Sequence, residues 1–256
     1  MKLPGFCRVA LWALLGVFCR CVLAQPAPAP SATQVVRLMS QYDYAPFQTG
    51  AQEGLTFALA EYLNRNAQGR YQFVVEILPR KRLDRYLADP QALWVVPWAV
   101  PRFFGADATR QYAWTRPFMR DGNHLLTRRD SGIRYSGPES LAGLRLGGTL
   151  GHRYALLEPL LQDGRVVRED CYNLVCNVEK LKRGRVDFAW VPSGAVAYFR
   201  TVVPDMDEYI EVSAKPVESF ERSFMSPKED TDLHRYLETM ARRLAGDPAW
   251  KDALAP

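Results

Sequence analysis

The sequence predicts an α/β protein whose folded part is built as two similar lobes, each on a mixed, mostly parallel sheet. Three observations carry that prediction. Strand-like and helix-like segments alternate along the chain, the pattern of a largely parallel sheet covered by helices. The alternation runs twice, giving two comparable halves. The first 24 residues have the make-up of an export signal and not of a folded element.

The folded part begins with 35–40 (VVRLMS), a short run that reads as a strand. The loop Gln41-Tyr42-Asp43-Tyr44-Ala45-Pro46-Phe47 follows, rich in aromatic and turn residues. Leu55, Leu59, Tyr62 and Leu63 recur at helical spacing and predict an amphipathic helix over 53–64. The segment 71–78 (YQFVVEIL) alternates and predicts a strand. Residues 80–87 (RKRLDRYL) predict a helix with Leu83 and Leu87 interleaved among Arg80, Lys81, Arg82 and Arg85, which form a solvated basic face. Residues 92–96 (ALWVV) predict a buried strand that Pro97 closes.

The second half repeats the series. A strand ending at 146 runs into the glycine-rich turn Gly147-Gly148-Thr149-Leu150-Gly151. A helix over 152–162 follows, shortened where Pro159 interrupts it. Residues 166–168 predict a short strand, 173–183 a helix capped by Gly184, and 186–191 (VDFAWV) a buried strand. A final amphipathic helix over 232–244 carries Leu233, Tyr236, Leu237, Met240 and Leu244 in register.

At the N-terminus, Lys2 and Arg8 form a short positive region before an apolar stretch, 9–18, too short for a bilayer span, which needs roughly 20 apolar residues. Val22, Leu23 and Ala24 suit a signal peptidase, so cleavage after Ala24 and a periplasmic location are expected, with a simple N-terminal anchor as the alternative. Residues 25–33 (QPAPAPSAT) predict an extended leader reaching to 34.

The chain carries 33 basic and 28 acidic residues. Losing Lys2, Arg8 and Arg20 with the signal leaves 30 against 28, about +2, which makes no electrostatic case for a nucleic-acid partner. Cys7, Cys19 and Cys21 also leave with the signal. The remaining even pair, Cys171 and Cys176, predicts a disulfide closing a tight loop in an oxidising compartment, with two free thiols as the alternative. No metal and no cofactor is expected, because His124, His152 and His234 are scattered without ligand spacing.

Several stretches together resemble a known family. Tyr44-Ala45-Pro46-Phe47 is similar to its Tyr-Pro-Pro-Phe loop, and Gly54-Leu55 with Leu59-Ala60 to its Gly-Phe-Asp-x-Asp-Leu-Ala helix, although Thr56 stands where an acid is usual. Trp114-Thr115-Arg116-Pro117-Phe118 sits where the family has Phe-Ser-x-Pro-Tyr. Residues 140–147 (SLAGLRLG) resemble its Asp-Leu-x-Gly-x-x-Val-Gly signature, and 181–187 (LKRGRVD) its Leu-x-x-Gly-Arg-x-Asp signature. The family is the periplasmic solute-binding proteins of family 3, which serve polar amino acid transporters and have the type II periplasmic-binding-protein fold. The resemblance covers nearly all of 35–250. It implies lobe 1 over 35–122 plus 222–256, lobe 2 over 123–221, two hinge crossings and a ligand cleft between the lobes.

In amino acid binders of this family an aromatic residue covers the ligand, an Arg holds the α-carboxylate and an Asp holds the α-ammonium. Tyr44 falls on the aromatic position, in the loop that Gln41 opens. Phe104 falls on the Arg position, with Arg102 close enough to replace it, and Pro192 falls on the Asp position. A desolvated ammonium without its carboxylate costs several kcal/mol, so the usual capture of a zwitterion is not expected. Thr149, Gly151 and His152 offer a turn leading into a helix N-terminus suited to an anion. Trp98 at a strand end offers a ring for an apolar, aromatic or cationic ligand, with a core role as the alternative; for Trp190 a core role is the stronger reading.

The leading expectation is a monomeric protein that captures a small-molecule ligand for an ABC transporter permease or a membrane sensor. Some relatives in the superfamily are periplasmic dehydratases, and Glu158, Glu169 and His152 match a general acid or base by type alone. The sequence has no Ser-His-Asp order, nucleophile elbow or metal pattern, so no catalytic residue is assigned. A third possibility is a partner-binding domain that has lost its ligand. It predicts a cleft that is shallow or plugged by Phe103, Phe104 and Trp98.

Overall fold

The computed structural model describes residues 32–89 and 92–251. The expected signal, 1–24, and the leader as far as residue 31 lie outside the described residues.

Among the described residues, ten strands form one continuous sheet. They are β1 (Gln34–Ser40), β2 (Tyr71–Ile77), β3 (Trp94–Ala99), β4 (Tyr112–Trp114), β5 (Met119–Arg128), β6 (Arg145–Thr149), β7 (Val167–Cys171), β8 (Phe188–Pro192), β9 (Ile210–Val212) and β10 (Glu218–Pro227). The order is β2-β1-β3-β10-β5-β8-β6-β7, with β4 on β10 and β9 on β5. The helices are α1 (Leu55–Asn66), α2 (Arg80–Leu87), α3 (Ala108–Gln111), α4 (Glu158–Gln162), α5 (Leu174–Lys182), α6 (Ser193–Val202), α7 (Met206–Tyr209), α8 (Thr231–Gly246) and α9 (Pro248–Lys251).

The pairing makes two lobes. In the first, β1 runs parallel to both β2 and β3. In the second, β6 runs parallel to both β7 and β8. The two ten-residue strands, β5 and β10, join them. The first half of β10 pairs antiparallel with β5, from Glu218 opposite Asn123 to Arg222 opposite Met119. Its second half pairs with β3 and β4 of the first lobe. The second half of β5 pairs with β8 and β9. The chain therefore crosses between lobes on two adjacent strands.

Local rules account for the helices. In α1, Thr56, Leu59, Ala60 and Leu63 are buried at spacings of three and four, which is the core-facing stripe of an amphipathic helix. Asn173 caps α5 by accepting from the Cys176 N–H at 2.9 Å, and Asp230 caps α8 by accepting from Leu233 at 2.7 Å. The far end of α5 closes on Gly184, whose φ of 66° is the left-handed geometry that favours glycine there. Cys171 and Cys176 form a disulfide across Cα atoms 6.0 Å apart.

Three expectations need correction. Pro97 does not close its strand: β3 continues through it to Ala99. The pairing of β3 with β10 is irregular between Ser223 and Met225, and such an irregularity tolerates a residue without an N–H. Gly147, Gly148 and Thr149 belong to strand β6, not to a turn. A Cβ on Gly147 would stand 3.2 Å from both Asn177 and Val186, so glycine there lets α5 pack closely on the strand. The helix expected from residue 152 starts only at Glu158, with Pro159 in its first turn.

Candidate functional site

Two connected cavities lie between the lobes. The outer one has a volume of about 340 Å³. The inner one, beside the crossing strands, has about 40 Å³. Gln41, Arg80, His152 and Leu174 line both.

The inner cavity rests on two carboxylates that are fully engaged. Arg222 of β10 donates from Nε (2.8 Å) and Nη2 (2.6 Å) to Asp121 of β5. Its Nη1 donates to the Tyr42 hydroxyl (2.8 Å) and the Trp98 carbonyl (2.7 Å). This ion pair is almost wholly buried. Glu218 accepts twice from Arg102 at Oε1, at 3.1 and 2.7 Å, and at Oε2 from Asn123 at 2.7 Å and from the Trp190 indole at 2.9 Å. Four donors fill the four lone-pair positions of a carboxylate. Phe103 and Phe220 close this end edge to face, 5.1 Å apart.

The outer cavity receives polar groups from both lobes. Tyr44 from the loop after β1 lines it, buried, its ring set edge-on against Tyr42 and Phe47. The Tyr44 hydroxyl is buried without a hydrogen-bond partner. Arg80 opens α2 and is 4% exposed. It donates to Asp84 (2.7 Å), to the Phe103 carbonyl (2.6 Å) and, at 3.4 Å, to Gln41, and its guanidinium lies 4.3 Å over the Phe104 ring. From the other lobe come Thr149, His152, Tyr172, Asn173 and Leu174. The disulfide brackets the last three of these. Partial burial, and then the guanidinium groups of Arg80, Arg168 and Arg222, push His152 down to about 3, so its imidazole is neutral at pH 7.

The expected ligand residues thus divide. Gln41, Tyr44, Thr149 and His152 meet at the outer cavity. Gly151 stands in the turn beside it, with φ 83°, and a Cβ there would lie 3.0 Å from Lys81 and 3.3 Å from Arg80 of the opposite lobe. Trp98 is 1% exposed, in the core of the first lobe, with its indole donating to Thr56 at 3.0 Å. Because β3 runs on past Pro97, Trp98 is a strand interior and lines neither cavity. Arg102 lines neither cavity and is spent on Glu218. The turn at Thr149–His152 opens no helix N-terminus, because α4 starts later. Trp190 does reach the inner cavity while buried. Glu158 pairs with Arg153 and Glu169 with Lys180, and neither lines a cavity.

Sequence reasoning passed over Arg80, which it placed on a solvated face. The usable signal was its position directly after a strand and at the first residue of a helix, where α/β proteins bind ligands. It also passed over Asp121, Arg222 and Glu218, whose partners come from distant parts of the chain.

Neither a protein-family model nor a curated protein matches the chain. Solved structures do. An ancestral arginine-binding protein bound to arginine superposes with a TM-score of 0.71 at 16% identity, covering 87% of this chain and 97% of that one. A structure from work on glutathione import via GshT and the cystine ABC importer TcyBC of Streptococcus mutans gives 0.69 at 14%, covering 86% and 93%. An arginine transport system periplasmic binding protein from Legionella pneumophila gives 0.66 at 17%, covering 87% and 98%. At these identities the likeness establishes the two-lobed solute-binding-protein fold.

Proposed function

We propose that the protein is an extracytoplasmic substrate-binding protein, exported to the periplasm. It captures one small organic solute between its lobes, as a monomer, and presents it to an ABC transporter or a membrane sensor. It acts by closure and release, without covalent chemistry. One observation carries this reading: a 340 Å³ space between the lobes into which both lobes send polar groups. Solute sites commonly measure about 300–1,000 Å³ and combine apolar walls with a few convergent polar groups.

The solute is not held as an ordinary α-amino acid. The inner carboxylate, Glu218, has no lone-pair position left for an ammonium. The 40 Å³ beside it suits water and not a ligand. Pro192 and Phe104 occupy the two positions where the family resemblance puts the anchoring charges.

Native mass spectrometry of protein purified from the periplasm tests this reading. The expected spectrum has a mature chain beginning at Gln25 and carrying one small molecule. A ligand-free mass, with no thermal shift across amino acids, polyamines and organic acids, would sink it. The narrow inner cavity walled by Phe103 and Phe220 favours the second reading, a partner-binding domain without a ligand, and that spectrum would select it.

A further inference from the structure

The outer cavity has a charge preference that its fold does not dictate. Helix α2 points its first residues, Arg80 and Lys81, at the cavity. No side chain caps that end of α2, and its first turn has no acid. Its unpaired N–H groups and the positive end of its dipole therefore face the space between the lobes. Helix α5 of the other lobe starts at the same cavity, through Asn173 and Leu174, and its first turn also has no acid. Arg80 uses three of its five N–H groups on Asp84, Gln41 and Phe103, which leaves two without a partner among the described residues.

The charges around the cleft have the same bias. Glu218 is matched by Arg102, and Arg222 by Asp121. Arg80 shares Asp84, which is half exposed. Arg153, at the inner cavity, is matched by Glu158, so among the charged residues lining the outer cavity Asp43 is set against Arg80 and Lys81. His152 is depressed first by burial and then by the nearby Arg80, Arg168 and Arg222.

The Tyr44 hydroxyl is an independent sign. Tyr44 lines the cavity, is 4% exposed, and its hydroxyl has no partner. Burial pushes its phenol well above the usual range, so it stays a donor. An unpaired buried donor is costly, and a ligand oxygen relieves the cost.

On the substrate-binding reading above, we propose that the solute is a small organic oxyanion. Its acid group sits at the N-terminus of α2, held by the spare guanidinium hydrogens of Arg80 and by the Tyr44 hydroxyl. This places the anchoring cation on the helix after β2, outside the position that Phe104 occupies.

The test has two arms. The ligand released from the purified protein is assigned a charge class by mass spectrometry. The protein is then titrated calorimetrically with succinate, benzoate and inorganic phosphate on one side, and with putrescine, spermidine and glucose on the other. The expected result is one-to-one binding on the first side only, with succinate or benzoate against phosphate separating a carboxylate from a phosphate ligand. Arg80→Gln is expected to weaken that binding by about tenfold or more, the scale of a lost charge-assisted hydrogen bond. Arg80 also supports the fold through Phe103, so Tyr44→Phe supplies a second reading. Removing a hydroxyl without a partner is expected to leave the unfolding midpoint of the free protein unchanged or higher, while weakening oxyanion binding roughly two- to tenfold. Binding confined to putrescine, spermidine or glucose would overturn the oxyanion assignment and leave the substrate-binding reading standing. Oxyanion binding unchanged in both variants would overturn the assigned anchor. No released ligand and no binding by any of the six would overturn both readings.

Discussion

His152 carries a pH dependence that follows from its neighbours. In the folded protein partial burial, with Arg80, Arg168 and Arg222 nearby, holds its imidazole down to about 3, against 6.5 ordinarily. Between those values the unfolded chain binds the extra proton, so this contribution to stability is fully present above pH 6.5 and is lost as pH falls toward 3. Carboxylates add a second loss at lower pH. Glu76 beside Arg37 and Asp187 beside Arg145 are held below the usual carboxylate range. Their contribution is present above that range and is lost as pH falls through the folded values. Urea midpoints measured from pH 8 to about pH 2 should therefore fall in two stages. In His152→Asn the stage below pH 6.5 should vanish and the carboxylate stage remain. A first stage that survives in the variant would assign it to another group.

At the scale of elements, the β7–α5 connection is the most heavily constrained part of the outer wall. The disulfide joins the last residue of β7 to the first turn of α5. Asn173 caps the same helix, and Tyr172, Asn173 and Leu174 face the cavity between them. A disulfide closing so short a loop contributes about 2 kcal/mol by chain entropy. The double substitution Cys171→Ser with Cys176→Ser should lower the unfolding free energy by that order. It should also weaken solute binding, because a looser wall must be ordered on closure. Urea denaturation and calorimetry on the same protein read both effects. A variant that binds as tightly as the parent would show that the bridge stabilises the lobe without shaping the site.

At the scale of the molecule, the two lobes meet closely at one turn. Gly151 of the second lobe approaches Arg80 and Lys81 of the first, with φ 83°. A β-carbon there is strained by its backbone and meets Lys81 at 3.0 Å. Lys81 is flexible enough to yield, so the backbone strain, about 1 kcal/mol, dominates the stability cost of Gly151→Ala. The added carbon stands between the lobes, so it should also oppose closure. Small-angle scattering should show less contraction on adding solute than in the parent, with weaker affinity. Contraction equal to the parent's would mean that the turn does not limit closure. The crossing strands hold the Arg222–Asp121 pair buried, where losing either partner would leave an uncompensated charge.

Periodicity and turn chemistry were enough to find α1, α2, α5 and α8, the strands β1 and β2, and the Gly184 cap, because each depends on neighbours within one or two turns of chain. The local pairing of Cys171 with Cys176 was legible for the same reason. The sequence by itself therefore determined the two-lobed α/β character and pointed to Gln41, Tyr44, Thr149 and His152 at the outer cavity. Tertiary structure decided the rest. Whether Pro97 ends a strand depended on an irregular partner strand that begins more than a hundred residues later. Whether Arg80 is solvated depended on the Phe103 carbonyl and Gln41, which reach it from other elements. Glu218 and Arg222 met Asn123 and Asp121 only because the chain crosses between the lobes twice. Local rules fix backbone conformation over a few residues, whereas burial and charge pairing are set by whatever the fold brings alongside.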